Sequence, residues 1–129
     1  MKTMLVGILS VLKELAVEKV VIGEQGEGSE QYEEFCKIVK EKNIHFRVVK
    51  KGDIINIEKQ VKIRMLFPED ELITENILNN NSLVFKLQYK EFKMLFTGDI
   101  EEVAEKHLIK MYSKGELKAD ILKVAHHRF

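Results

Sequence analysis

The sequence is poor in residues that mark particular protein classes. Its 129 residues include one proline, one cysteine and no tryptophan. Because Cys36 is the only cysteine, an intrachain disulfide is excluded, and we expect a reducing compartment. A chain of this length with no low-complexity segment is typical of one folded domain, so we expect residues 1–129 to form a single domain.

An excess of charge of one sign is also missing. Lys and Arg together number 21, as do Asp and Glu, so the formal net charge is zero. This balance excludes a broad electrostatic attraction to nucleic acid or to an anionic membrane, although it leaves room for local charged patches.

The chain lacks a long apolar run. The longest apolar stretch near the start extends from Met4 to Leu12 and is interrupted by Lys13 and Glu14. It is far shorter than the ~20 apolar residues of a membrane span, and no small-residue cleavage pattern follows it. We therefore expect a soluble chain without signal peptide or transmembrane segment. The stretch instead predicts an amphipathic helix, with one apolar face made of Val6, Leu9, Leu12 and Leu15.

Alternating strand and helix patterns fill the rest of the chain. A helix is predicted after Ser29 as N-cap, a second directly after Asp99, and a weak helical pattern covers residues 69–80. The order of elements predicts an α/β fold, a mixed sheet with flanking helices. The predicted strands are Val20 to Ile22, Phe46 to Val49, Val61 to Phe67, Leu83 to Leu87, Met94 to Phe96 and Ile121 to Val124, with a further short one in "IINI" (54–57).

Two stretches carry candidate chemistry: "LFTGDIEE" (95–102) and "VAHHRF" (124–129). Asp99 follows an apolar strand, and His126 lies 27 residues later, next to His127, after another strand. If these are consecutive parallel strands joined by a right-handed crossover, their carboxyl ends lie side by side. A carboxylate and imidazoles there suit Zn²⁺, Mn²⁺ or Fe²⁺. The alternative is that Asp99 caps a helix beginning near Ile100 and that the histidines are a polar strand end.

The motifs together resemble a known family. "SLVFKLQYKEFKMLFTGDIEEVAEKHLIK" followed by "LKADILKVAHH" is similar to the metallo-β-lactamase-type hydrolase domain of ComEC-type DNA-uptake competence proteins. The resemblance implies an αββα sandwich, two divalent metals (Zn²⁺ or Mn²⁺) and hydrolysis of a phosphodiester in DNA. It implies that Asp99 bridges the metals and that His126 or His127 is the last histidine ligand. It also suggests that Asn80, Asn81, Ser82, Thr97 and Gly98 line the site. The alternative for the Asn run is a turn in which the Asn side chains bond nearby backbone.

The sequence departs from the family pattern at its main ligand motif. The family's H-x-H-x-D-H would fall on Lys2, Met4, Leu5 and earlier positions, none of which matches a ligand of the motif. We therefore expect a partial domain, missing its first and last strands, that binds metal weakly or not at all and is inactive as the isolated chain. The alternative is a non-catalytic α/β module that self-associates or binds a partner, such as the missing remainder of the domain.

Overall fold

The computed structural model describes residues 11–24 and 29–125 and shows a mixed α/β protein. The chain divides into two compact units, Met1–Val49 and Lys50–Phe129, here called the N-terminal and C-terminal units. The predicted fold class is confirmed, since helices accompany a two-stranded parallel sheet and a five-stranded mixed sheet. The single-domain organisation and the sandwich arrangement stay predictions.

The N-terminal unit is a strand-helix-strand unit. Strand β1 (Lys19–Ile22) pairs in parallel with β2 (His45–Val48), and helix α1 (Glu30–Glu41) connects them. Ser29 caps α1 as predicted, because its side chain accepts a hydrogen bond from the backbone N–H of Tyr32 at 3.1 Å. The apolar side chains of this unit form a small core of Leu12, Phe35, Ile38, Val39 and Ile44.

The predicted N-terminal helix is described only in its last part. Residues 11–14 are helical, whereas Val6 and Leu9 lie outside the described residues. Leu12 is buried, but Leu15 is exposed. Leu15, which the spacing predicts on the same apolar face, lies one position after the last helical residue.

The C-terminal unit is built on a five-stranded sheet of order β3-β4-β5-β6-β7. Neighbouring strands are antiparallel except for β6 and β7, which are parallel. In the part of this unit that the structure describes, three helices accompany the sheet: α2 (Ile77–Asn80), α3 (Glu102–Met111) and α4 (Lys114–Leu117). The strands are β3 (Ile54–Glu58), β4 (Val61–Phe67), β5 (Val84–Tyr89), β6 (Phe92–Phe96) and β7 (Ile121–Lys123).

Tight turns precede and connect these strands. Gly52, in the Lys-Gly-Asp turn before β3, has a φ of +94°, a left-handed conformation that glycine adopts without steric cost. Lys90 and Glu91 form the turn of the β5–β6 hairpin. Of the weak helical pattern over residues 69–80, only α2 is helical.

The core of the C-terminal unit lies between the sheet and α3. It contains Leu66, Phe67, Val84, Ile100, Ala104, Leu108 and Tyr112. A register shift in β4 between Met65 and Phe67 interrupts the alternation of inward and outward side chains, so Met65, Leu66 and Phe67 are all buried. The Tyr112 hydroxyl donates a hydrogen bond to the Leu66 carbonyl at 2.6 Å and fixes the end of α3 to the bulged strand.

None of the described helices has the length and apolar character that crossing a membrane requires.

Candidate functional site

The candidate site lies at the carboxyl ends of β6 and β7. These two strands are parallel neighbours, and Phe96 pairs with Lys123. The Thr97 side-chain hydroxyl donates a hydrogen bond to the Lys123 carbonyl at 2.8 Å, so the two ends are tied directly after the paired residues. The predicted side-by-side arrangement of the strand ends is therefore confirmed. Asp99 and His126 each follow this pair by three positions, although His126 and His127 lie outside the described residues.

Asp99 is a buried carboxylate, with 4% of its surface exposed. The predicted alternative, in which Asp99 caps a helix beginning near Ile100, is wrong. Helix α3 begins at Glu102, and Glu101 is at the N-cap position with an extended backbone. The helix starts later because Ile100 is packed into the core, one residue before the extended Glu101. The burial of Asp99 is thus not explained by a role as the N-cap of α3.

Gly98 allows the turn before Asp99 to approach the preceding segment. Its φ is +56°, and a Cβ placed on it would lie 2.7 Å from the Cβ of Ser82 and 3.2 Å from the carbonyl oxygen of Leu83. Real Cβ atoms do not approach other heavy atoms at 2.7 Å, so a larger residue at position 98 would force the two segments apart. The Ser82 hydroxyl donates to the Asn79 carbonyl at 2.7 Å and stabilises its own side of this contact.

Asn80 holds the other side of the Asp99 turn. It is fully buried, its Oδ1 accepts the backbone N–H of Glu101 at 2.9 Å, and its Nδ2 donates to Glu101 Oε1 at 3.0 Å. The same Nδ2 donates to the Glu75 carbonyl at 2.7 Å. Asn76 adds a hydrogen bond to the second carboxylate oxygen of Glu101 at 2.9 Å. We call this set of contacts the Asn80–Glu101 clasp.

Asn81 bonds to its own loop. Its Oδ1 accepts the backbone N–H of Ile73 at 2.9 Å, and its Nδ2 donates to the carbonyls of Ile73 and Ile77, both at 2.8 Å. The alternative reading of the Asn run, side chains that bond nearby backbone, is confirmed for this residue. The side-chain groups of Asn80, Asn81, Ser82 and Thr97 are engaged within the protein, and these residues support the turn that carries Asp99.

Glu101 and Asn76 are the supporting residues that reasoning from sequence missed. Glu101 reads as one more acidic residue in the first turn of a helix, where negative charge is favourable in any case. Its partner Asn80 is 21 positions away. No local pattern indicates that pairing.

The described residues contribute one candidate metal ligand at this place, the Asp99 carboxylate. Residues 11–24 and 29–125 contain no group of three or more His, Cys, Asp or Glu side chains that could hold a metal ion. A closed metal shell takes four or more ligands, so the described part does not by itself fit a two-metal centre. The further protein ligands that the sequence suggests are His126 and His127.

Two surface cavities of the C-terminal unit lie apart from these residues. One, of about 310 Å³, is lined by residues of α3 together with Glu69. The other, of about 670 Å³, lies between the end of α3 and α4 and includes Tyr112 and Leu117. Neither is lined by a predicted site residue.

Comparison with known proteins gives no relative. No model of a protein family matches the chain, and no curated protein matches it. The resemblance to metallo-β-lactamase-type domains therefore stays a prediction from the motifs.

Proposed function

We propose that this chain is a relative of metal-dependent hydrolases of the phosphodiesterase class, in which Asp99 is a metal-binding carboxylate and a DNA strand is the substrate. The observation that supports the proposal is the position of Asp99, buried directly after β6 where the ends of two parallel strands are tied together. In open α/β sheets, sites form at such strand ends. The turn is held by Thr97, Gly98 and the Asn80–Glu101 clasp.

In this class of enzyme, a bound metal supplies a hydroxide at neutral pH and neutralises the anionic oxygens of the substrate. The contribution of the described residues is to hold the Asp99 carboxylate in a fixed place. The Asn80–Glu101 clasp fixes the start of α3, while the hydrogen bond from Thr97 to Lys123 fixes the end of β6. A carboxylate fixed in this way loses little conformational freedom when it binds a cation.

We further propose that the chain alone forms a metal half-site rather than a catalytic centre. Lys2, Met4 and Leu5 occupy positions where the resemblance implies metal ligands, and none of these side chains is a good ligand for Zn²⁺ or Mn²⁺. Asp99 with His126 and His127 leaves coordination positions that water or other protein groups must fill.

Isothermal titration with Zn²⁺ tests the half-site. We expect weak binding to the wild-type chain and a loss of at least tenfold in affinity for Asp99→Asn, because a neutral amide is a far poorer ligand than a carboxylate. His126→Ala/His127→Ala should lose affinity as well. A matched control is Asp120→Asn, whose carboxylate accepts the backbone N–H of Lys93 near the start of β6. Equal heats for wild type and Asp99→Asn would contradict the proposal.

One observation favours the second candidate function, self-association. Strand β7 pairs on one side only among the described residues, and its apolar side chains Ile121 and Leu122 are 48% and 53% exposed. An edge strand with apolar side chains on both faces is suited to pairing with another strand. Gel filtration across a range of concentrations tests this: a dimer for wild type and a monomer for Leu122→Glu support it, whereas a wild-type monomer at all concentrations contradicts it.

A further inference from the structure

A group of cationic side chains lies on one face of the central strands, away from Asp99. On β4 these are Lys62 and Arg64, which pair with Gln88 and Lys86 of β5. On β6, Lys93 pairs with Gln88. Because side chains alternate along a strand, all four cations and Gln88 share one face. We call this set of five residues the cationic face.

The cationic face continues the side of the sheet that α3 covers. Leu95 pairs with Lys86, and Leu95 packs against the core beneath the helix. Lys62 and Arg64 are exposed, and Lys86 and Lys93 are half-buried. Lys93 lies near the start of β6, whereas Asp99 follows the carboxyl end of that strand. The cationic face is therefore separate from the candidate metal site.

Nearby carboxylates offset only part of this charge. Glu116 of α4 lies 3.8 Å from Arg64, and its backbone carbonyl accepts a hydrogen bond from the Lys86 ammonium. Asp120 is close as well, but its carboxylate accepts the backbone N–H of Lys93. Within the described ranges, no hydrogen bond or ion pair joins the ammonium groups of Lys62 and Lys93 to another residue.

The crowding of like charges is unfavourable for the protein alone. Burial lowers the pKa of the Lys86 ammonium below its ordinary value, and the charges of Lys93 and Arg64 lower it further. Like charges on directly opposite positions of neighbouring strands destabilise a sheet. An anionic ligand that contacts several of these groups would relieve the repulsion.

Aromatic side chains lie at the same end of the sheet. Tyr89 and Phe92 are a cross-strand pair next to the β5–β6 turn, 45% and 41% exposed, and they flank Gln88 and Lys93 along the chain. They project to the opposite face, so a ligand that reaches both the cations and the aromatic rings must bend over the end of the hairpin. Cations that contact phosphates, together with rings on which bases stack, are the means by which proteins bind single strands.

We propose that the cationic face and the Tyr89–Phe92 pair bind single-stranded nucleic acid without sequence preference. Lys62, Arg64, Lys86 and Lys93 contact successive phosphates, while Tyr89 and Phe92 stack on bases beyond the hairpin end. Strand spacings of about 4.8 Å place Lys62 and Lys93 roughly 10 Å apart, a span suited to more than one phosphate of a flexible strand. A rigid duplex is less suited to this bend. The proposal does not rest on the hydrolase function.

Fluorescence anisotropy with a labelled 20-nucleotide single strand, in metal-free buffer at 50 to 200 mM salt, tests the proposal. The variant Lys62→Ala/Lys93→Ala removes the two cations that hold no other element in place. We expect its affinity at 50 mM salt to fall about tenfold and the slope of log affinity against log salt to decrease by about 1.4, or 0.7 for each lost phosphate contact. The matched control Lys37→Ala/Lys40→Ala removes the same charge from exposed positions of α1 and should change affinity less than twofold.

Two further ligands test whether the cationic face prefers single strands over other phosphate polymers. A duplex of the same length and a polyphosphate of the same charge should both bind more weakly than the single strand, and Tyr89→Ala should weaken binding of the single strand only. Equal or tighter binding of either competitor would overturn the single-strand assignment. The assay contains no metal, so its outcome does not depend on metal binding at Asp99.

Lysine acetylation of the wild-type chain gives a readout that needs no variant. With the oligonucleotide bound, mass spectrometry should show Lys62 and Lys93 protected several-fold, with Lys37 and Lys40 modified as before. Protection equal at all four lysines, or absent at 50 mM salt, would overturn the proposal.

Discussion

Asn80 and Glu101 hold each other through two hydrogen bonds, from the Glu101 backbone N–H to Asn80 Oδ1 at 2.9 Å and from Asn80 Nδ2 to Glu101 Oε1 at 3.0 Å. They join the segment before β5 to the start of α3: Asn80 lies two positions before Ser82, and Glu101 lies two positions after Asp99. The pair therefore does more than cap a helix: it sets the distance between two loops that meet at Asp99.

The variant Asn80→Ala should lower the free energy of unfolding by about 3 kcal/mol. It removes a fully buried side chain and leaves the Glu101 N–H and the Glu75 carbonyl without their partner. Urea denaturation followed by circular dichroism measures the change. The neighbouring Asn79→Ala is the control, because the Asn79 side-chain oxygen is buried without a hydrogen-bond partner within the described residues. A cost for Asn79→Ala as large as that for Asn80→Ala would show that the clasp is not the source of the effect.

The variant Gly98→Ala should lower the free energy of unfolding by at least about 2 kcal/mol. Alanine adds the cost of a left-handed backbone, about 1 kcal/mol, and its Cβ collides with the Cβ of Ser82. Adding Ser82→Gly removes the atom that is struck. The double variant should therefore be more stable than the sum of the two single changes predicts. We expect the difference to be at least about 0.5 kcal/mol, the lower end of coupling energies between residues in contact. Strict additivity in urea denaturation would contradict the close approach.

The variant Tyr112→Phe should cost about 1 to 2 kcal/mol at neutral pH, because the Leu66 carbonyl loses a buried hydrogen bond. It should also change the alkaline behaviour. Burial raises the pKa of the Tyr112 phenol above its ordinary value of about 10. Its protonated form therefore contributes stability that is fully present below pH 10 and is lost as pH rises through the raised pKa. Urea midpoints from pH 9 to 11 should fall more for wild type than for the variant.

Zinc affinity of the wild-type chain should fall as pH decreases through about 6.5, the ordinary pKa of imidazole, because only neutral histidine is a ligand. In the variant His126→Ala/His127→Ala the remaining affinity should change little between pH 7.5 and 6. Titrations at both pH values measure the difference. The same pH dependence in wild type and variant would place the ligands elsewhere.

Hydrolysis of a phosphodiester by the isolated chain should not exceed background in the presence of Mn²⁺ or Zn²⁺, because the positions where the resemblance implies metal ligands carry Lys2, Met4 and Leu5, which are poor ligands for these ions. The measurement is product release from a chromogenic phosphodiester with and without metal. Turnover that depends on metal and disappears in Asp99→Ala would show that the chain forms a complete centre.

Local patterns were sufficient to predict most of the secondary structure. The strand from Val61 to Phe67 and the Ser29 cap are each encoded within a few neighbouring residues, and each is found as predicted. The end of β4 is different. Phe67 and Leu66 are adjacent yet both lie in the core under α3, because the register shift inserts a residue that alternation alone does not reveal.

The candidate site was predicted less completely, for a physical reason. The adjacency of β6 and β7 could be anticipated, because consecutive strands are usually neighbours in a sheet. The residue at which α3 begins could not be anticipated, since Asp99, Glu101 and Glu102 all suit a helix start. The choice depends on the burial of Ile100 and on the distant Asn80, and both are properties of tertiary packing.

The bulge in β4 also protects the sheet against a particular folding error. A slip of one residue between β4 and β5 would place Lys62 and Arg64 where Ile63 and Met65 belong, so alternation opposes it. A slip of two residues returns every side chain to its proper face, and alternation does not oppose it. The bulge opposes such a slip, because the slip would carry Leu66 and Phe67 away from Val84 and from the helix that covers them. One unpaired residue thus fixes which residues of the two strands pair.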